Sequence, residues 1–106
     1  PFNSLTHYAP YHYSTGFSKY YYEKHLPEYG FQIIELESNG NYFEYFAQET
    51  RRLSLVSKQY SNVKVLSPLF YLSRLYFLNY LKRQSKKDSN SDDLLCFGYN
   101  LFIKKL

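Results

Sequence analysis

Several residue types are scarce in this sequence, and each shortage limits what the chain can be. It contains no methionine, no tryptophan, one cysteine and only four glycines among 106 residues. Because the chain starts at Pro1 and has no initiator methionine, we expect it to be a piece of a longer protein. The single cysteine, Cys96, excludes an internal disulfide and favours a reducing compartment, so we expect a cytoplasmic protein.

Long apolar runs and blocks of one charge are also missing. The longest apolar stretch, residues 69–81, is interrupted by polar residues and falls short of the ~18–20 residues that a membrane span needs. The net charge is only +4, and the basic residues at 82–87 are followed at once by Asp88, Asp92 and Asp93. This mixture is typical of a solvated loop, so we expect neither a membrane nor a nucleic acid as partner.

Aromatic side chains are abundant instead. Tyrosine occurs 14 times and phenylalanine nine times, which makes 22% of the chain aromatic, while 44% is hydrophobic and 21% charged. That balance is typical of a globular protein. So many rings require either a thick core or an amphipathic surface on which tyrosine hydroxyls reach water.

The pattern of apolar residues, caps and turns predicts an alternation of helices and strands. Asn41 and the pair Ser67-Pro68 have the character of helix starts. Residues 94–104 are apolar on both alternating faces, which is typical of an interior strand covered on both sides. Two such strands form no stable sheet alone, so we expect further strands elsewhere. The predicted order is a loop (1–16), a helix (18–29), a strand (31–37), two helices within 41–83, a polar loop (84–93) and a strand (94–104).

Three segments carry a resemblance to a known family. They are His-Tyr-Ala-Pro-Tyr-His at 7–12, Gly-Asn-Tyr-Phe-Glu at 40–44, and the ending CFGYNLFIKK at 96–105. Together they resemble the C-terminal half of class I S-adenosylmethionine-dependent methyltransferases of a bacterial branch. The resemblance covers residues 1–53 and 94–105, whereas the helical stretch between them matches only in kind.

The resemblance implies an α/β fold, namely the C-terminal fragment of a Rossmann-like methyltransferase sheet. Pro1 and Phe2 would end the fifth strand, residues 31–37 would be the sixth, and residues 94–104 the seventh. In this family the seventh strand runs antiparallel between the other two. Residues 1–106 would then be the C-terminal part of one methyltransferase domain, with 41–83 as a helical insertion between its last two strands.

The cofactor of such a domain would be S-adenosylmethionine, but its binding residues would lie upstream of this chain. The family's Gly-rich turn has no counterpart here, because Gly16, Gly30, Gly40 and Gly98 lie far apart. We therefore expect this chain alone to be inactive and to contain no cofactor-binding residue.

The loop over residues 6–13 is the densest cluster of chemically able side chains. Ligands of open α/β sheets bind outside the carboxyl ends of strands, where this loop would lie. His7 and His12 are the candidate catalytic bases, because histidine accepts a proton near neutral pH. Tyr8, Tyr11 and Tyr13 are the candidate substrate-binding residues. The alternative is that these side chains only fix the loop through hydrogen bonds.

Other candidate sites have simpler interpretations. The three histidines, with His25 as the third, lack the spacing of a metal site. Cys96 lies in an apolar stretch and is expected to be a small buried filler. The leading hypothesis is a fragment of a methyltransferase that acts on a small-molecule acceptor. The alternative is a non-enzymatic module that binds a partner through the aromatic helices of residues 41–83.

Overall fold

The protein is an α/β structure in which helices alternate with two strands. The computed structural model describes residues 16–62 and 66–106. Within those residues the elements are α1 (Lys19–Glu28), β1 (Phe31–Asn39), α2 (Tyr42–Tyr60), α3 (Pro68–Lys86), a short 3-10 helix (Ser91–Asp93) and β2 (Gly98–Lys105). None of these helices has both the length and the apolar character needed to cross a membrane.

Helix α1 lies within the predicted range of residues 18–29. The ring of Phe17 meets that of Tyr22 edge-on, with centroids 6.4 Å apart, which is the apolar contact expected across a helix start. Ser18 is the N-cap residue, although its side chain makes no capping hydrogen bond. Pro27 lies in the last turn, and Gly30 follows with a φ of +83°, which favours glycine.

Helices α2 and α3 both begin with a capping side chain, as predicted. Asn41 Oδ1 accepts a hydrogen bond from the Glu44 amide at 3.0 Å. Ser67 Oγ accepts one from the Phe70 amide at 3.3 Å, and Pro68 occupies the first helical position. Each cap satisfies a backbone donor that would otherwise lack an intrahelical partner.

The predicted bounds of the polar loop, residues 84–93, are wrong at both ends. Helix α3 continues to Lys86, and residues Ser91–Asp93 form the 3-10 helix. Gln84 and Lys86 are good helix formers, so a polar composition did not end the helix there. Its last turn closes at Lys87, whose amide donates to the Gln84 carbonyl at 3.1 Å.

The two strands pair antiparallel over nearly their whole length. Phe31 lies opposite Lys105 and Asn39 opposite Gly98, with a register shift between Ile33 and Glu35. This confirms the predicted antiparallel pairing of the two apolar segments. The bounds differ, however, because β2 starts at Gly98 and not at residue 94.

Residues 94–97 form a turn that connects the 3-10 helix to β2. The amide of Leu95 donates to the Ser91 carbonyl at 3.1 Å, and that of Phe97 donates to the Asn39 carbonyl at 2.9 Å. Cys96 lies between them with no exposed surface, which confirms its prediction as a buried filler. Its apolar neighbours were misassigned to a strand because the same composition also suits a buried turn.

Little of the described chain is fully buried. Its buried apolar side chains are Ala47, Leu81 and Cys96. The longest and shortest extents are 57 Å and 16 Å, which leaves room for about one sheet and one helical layer. The predicted cover on both faces of the last strand is not supplied by residues 16–62 and 66–106, because Phe102 and Ile103 are exposed.

Candidate functional site

The predicted catalytic and substrate-binding residues lie outside the part of the chain that the structure describes. His7, Tyr8, Tyr11, His12 and Tyr13 all lie outside the described residues, as does the proposed end of the fifth strand. Their roles as catalytic and substrate-binding residues therefore stay predictions. The structure instead places two other groups of polar side chains together, one at the start of α2 and one between α2 and α3.

The first group, here called the polar junction, joins the start of α2 to the end of α3. Asn41 Nδ2 donates to Ser85 Oγ at 3.0 Å, and Ser85 Oγ donates to Glu44 Oε1 at 3.3 Å. Asn41 therefore caps α2 with its oxygen and binds α3 with its nitrogen. Because 44 residues separate Asn41 from Ser85, the junction fixes a long-range contact with side chains alone.

The polar junction continues into the 3-10 helix. Ser38 Oγ donates to Asp92 Oδ2 at 2.7 Å, and Ser91 Oγ accepts from the Tyr42 amide at 3.3 Å. The Ser91 amide in turn donates to Asp88 Oδ1 at 3.3 Å. These bonds tie the end of β1, the start of α2 and the segment after α3 into one corner. Every polar group named here already has a partner, so the corner is organised for structure.

An ion pair connects α1 to the same corner. Lys19 Nζ contacts Asp93 Oδ1, and this hydrogen bond raises the pKa of the Lys19 ammonium above its ordinary value. Both side chains keep a substantial part of their surface in water, so the pair adds little to stability. Its contribution is to orient α1 relative to the 3-10 helix.

Glycine at position 40 allows a close approach by Phe97. A Cβ atom added to Gly40 would lie 2.5 Å from Cδ2 of the Phe97 ring, and the residue has a φ of +77°. Phe97 also stacks on Tyr45, with ring centroids 5.7 Å apart. The ring is thus held between the turn before α2 and the first turn of that helix.

The second polar group lines a cleft between α2 and α3. The helices run antiparallel, since Asn41 meets Ser85 at one end while Arg74 Nη1 lies 3.4 Å from Ser54 Oγ towards the other. The cleft has a volume of about 530 Å³, within the range of small-molecule sites. Its apolar lining is Phe43, Ala47, Leu75, Leu78, Leu81 and Phe97, and its charged lining is Glu44, Arg51, Lys82 and Lys86.

Cys96 and Tyr99 offer no accessible reactive group. Cys96 is fully buried, and its Sγ lies 3.3 Å from the Gly98 carbonyl oxygen. Burial raises the pKa of the Tyr99 phenol well above its ordinary value, so that group stays neutral at physiological pH. The ring of Tyr99 packs edge-on against Tyr22, 6.1 Å away. Tyr99 therefore contributes to the packing of α1 on the sheet.

His25 interacts within its own helix. Its Nδ1 lies 3.2 Å from Glu28 Oε2, and its ring lies 4.4 Å from that of Tyr21. Among residues 16–62 and 66–106, no three His, Cys, Asp or Glu side chains come together as a metal site would require.

One carboxylate pair lies on the surface of β1. Glu35 and Glu37 point to the same side of the strand, and a hydrogen bond with Glu37, together with the repulsion of its charge, raises the pKa of Glu35. Both are exposed and belong to neither polar group. Paired carboxylates can divide acid and base roles, but these two do not line the cleft between α2 and α3.

The cleft was missed from the sequence although its residues carry a signal. Arg51 lies one helical turn beyond Ala47, and Lys82 and Lys86 are four residues apart, so each helix presents cations beside an apolar stripe. The cleft can be predicted only if α2 and α3 are known to be antiparallel neighbours, because that arrangement brings the two stripes together. Comparisons of the chain with protein-family models, with curated proteins and with solved structures found no match.

Proposed function

We propose that this chain is the C-terminal part of a class I S-adenosylmethionine-dependent methyltransferase that acts on a small-molecule acceptor. The observation that carries the proposal is the antiparallel pairing of β1 with β2 across an intervening helical pair. The family resemblance implies this arrangement for the last two strands. Helices α2 and α3 would be the insertion between those strands.

The exposure of the sheet supports a place within a larger sheet. Ile34, Phe102 and Ile103 are exposed although each suits a covered strand. A sheet of two strands is marginal in water, and adding strands and helices would bury such side chains. In the proposed protein the second edge of β2 would pair with the fifth strand.

The proposed reaction transfers a methyl group to a nucleophilic oxygen, nitrogen or carbon of the acceptor. S-adenosylmethionine would supply the methyl group, and holding the acceptor atom in position against it would supply much of the rate. S-adenosylmethionine would be held by strands that precede this chain. His7 or His12 would remove the proton that an O–H or N–H nucleophile loses, and Tyr8, Tyr11 and Tyr13 would shape the acceptor pocket.

The role of the two histidines is tested in a longer protein that contains this chain. Replacing His7 or His12 with alanine should lower turnover by about 10²–10⁴ if that residue is the base, with little change in cofactor affinity. Loss of a loop-fixing hydrogen bond would instead cost only about 0.5–1.5 kcal/mol of stability.

His25→Ala is the matched control, because this histidine contacts Glu28 and Tyr21 on α1. It should leave turnover unchanged. A lower melting temperature with normal turnover in the His7 and His12 variants would reject the catalytic role.

A non-enzymatic interaction module is the second candidate. The observation that favours it is the exposure of large apolar side chains on α3, including Leu69 at 72% and Tyr76 at 78%. Surfaces of this kind often mark partner binding. The coding sequence upstream of Pro1 separates the two candidates, since a strand followed by a Gly-rich turn and a helix supports the methyltransferase. If the upstream sequence lacks that unit, the interaction module is favoured.

A further inference from the structure

The cleft between α2 and α3 combines an apolar floor with positive charge. Ala47 and Leu81, two of the buried side chains of the described chain, lie at its base. Phe97 forms one wall, and its position depends on the missing side chain of Gly40. The floor is therefore built from buried side chains, so the cleft has a defined shape.

The cations that line the cleft are available to a ligand. Within residues 16–62 and 66–106, Arg51, Lys82 and Lys86 form no ion pair, whereas Lys19 and Arg52 each contact a carboxylate. Two of these cations lie on one helix and the third on its neighbour, so they flank the opening from both sides.

Glu44, the acidic side chain of the lining, already accepts a hydrogen bond within the protein. Glu44 Oε1 accepts a hydrogen bond from Ser85 Oγ at 3.3 Å, at the end of the cleft where the polar junction lies. Asn79, Gln48 and Ser85 add neutral polar groups along the lining. The net character of the cleft is therefore positive, with hydrogen-bond donors above an apolar base.

We propose that this cleft binds an organic anion with an apolar or aromatic body, its negative group held by Arg51 and Lys82 and its body packed on Phe97 and the leucines. A volume of about 530 Å³ suits a small molecule of one or two rings. The cations at the rim of the cleft match the negative group of the ligand, and the apolar floor matches the shape of its body. This binding site goes beyond the proposed methyl transfer and does not rest on it.

Two probes of the same shape separate anion recognition from general adsorption. Anilinonaphthalene sulfonate carries a negative group on an aromatic body, and phenylnaphthylamine has a similar body without the charge. Fluorescence titration of the folded chain should show one saturable site for the sulfonate and clearly weaker binding of the neutral probe.

Matched variants locate the site. Lys82→Gln and Arg51→Gln should each weaken sulfonate binding about threefold to fivefold, while phenylnaphthylamine binding changes little. The controls Arg83→Gln and Lys58→Gln remove the same charge from the same helices outside the lining. They should leave both affinities unchanged. Gln48→Trp places a ring in the cleft and should prevent binding of either probe.

Three results would overturn the proposal. Equal weakening by Lys82→Gln and Arg83→Gln would mean that the probe responds only to net charge. Sulfonate binding that survives Gln48→Trp would place it on the exposed apolar surface of α3. A dimer in sedimentation that Gln48→Trp dissociates would show that a second copy of the chain occupies the cleft. Circular dichroism of every variant keeps a loss of fold distinct from a loss of binding.

Discussion

The two ends of the α2–α3 pair are held in very different ways. Beside the sheet, Asn41 and Ser85 bond across the helices, Leu81 is buried, and Phe97 is wedged against Gly40. Towards the far end, Arg74 Nη1 on α3 approaches Ser54 Oγ on α2 at 3.4 Å.

Exposure follows the same division. Leu55, Leu72 and Tyr76 at the far end have at least 65% of their surface in water. Leu81 and Ala47 near the sheet are almost fully covered. Local stability follows buried apolar contact, so the sheet end should be the last part of the helical pair to open. Additional protein would therefore have the most apolar surface to cover at the far end of the α2–α3 pair.

The largest contrast is expected between two leucines on α3. Leu81→Ala removes a buried side chain and should cost about 2–5 kcal/mol of unfolding free energy. Leu72→Ala removes one that is 65% exposed and should change it by less than about 0.5 kcal/mol. Urea unfolding followed by circular dichroism measures both. Equal losses would show that the far end is as well packed as the sheet end.

Two glycines with similar backbone angles give the next contrast. Gly40→Ala and Gly30→Ala both place a side chain at positive φ, which costs about 1–2 kcal/mol. Only the Gly40 variant also forces Phe97 to move, since none of the described residues has an atom within 4 Å of a Cβ added at Gly30. We expect Gly40→Ala to cost about 1–3 kcal/mol more than Gly30→Ala in the same unfolding experiment. If the two costs are the same, Phe97 is not fixed by this approach.

The two capping residues should differ by a smaller amount. Asn41→Ala and Ser67→Ala each remove a cap worth about 0.5–2 kcal/mol. Asn41→Ala also removes the bond that Asn41 Nδ2 donates to Ser85 Oγ, which should add about 0.5–1.5 kcal/mol. Amide hydrogen exchange should show that the first turn of α2 opens faster in Asn41→Ala than the first turn of α3 opens in Ser67→Ala. The reverse order would contradict the role given to the polar junction.

The smallest effect concerns the carboxylates of β1. The pKa of Glu35 is raised in the folded state by Glu37, so this pair favours folding at low pH. That contribution is lost as the pH rises through the folded-state pKa of Glu35. Glu37→Gln should lower the pKa of Glu35 towards its ordinary value in an NMR titration of the side-chain carboxyl. Glu23→Gln on α1 is the control and should leave the Glu35 titration unchanged.

The local structure was largely predictable from particular residues. Asn41 and Ser67 act as caps where their side chains indicated, and α1 lies within the predicted range of residues 18–29. The antiparallel pairing of β1 and β2 was predicted from the family resemblance, since the local sequence of a strand does not determine its pairing partner. The start of β2 was misplaced because residues 94–97 are as apolar as a strand but turn around the buried Cys96.

The candidate site was predictable only in part, for a physical reason. The cleft depends on side chains from two helices whose facing stripes meet only in the folded chain, so neither helix alone identifies it. The polar junction was not predictable for the same reason. The local sequence around Asn41 predicts a cap, but its bond to Ser85 is a long-range contact. The loop with His7 and His12 lies outside the described residues, so its predicted role still depends on experiment.

Binding of S-adenosylmethionine tests the central proposal most directly. Titration calorimetry compares residues 1–106 with a longer protein that includes the sequence upstream of Pro1. The proposal predicts one-to-one binding by the longer protein and no specific heat from this chain, because the proposed cofactor-binding turn would lie upstream of Pro1. Micromolar one-to-one binding by residues 1–106 alone, or no binding by the longer protein, would contradict the assignment as the C-terminal part of a methyltransferase.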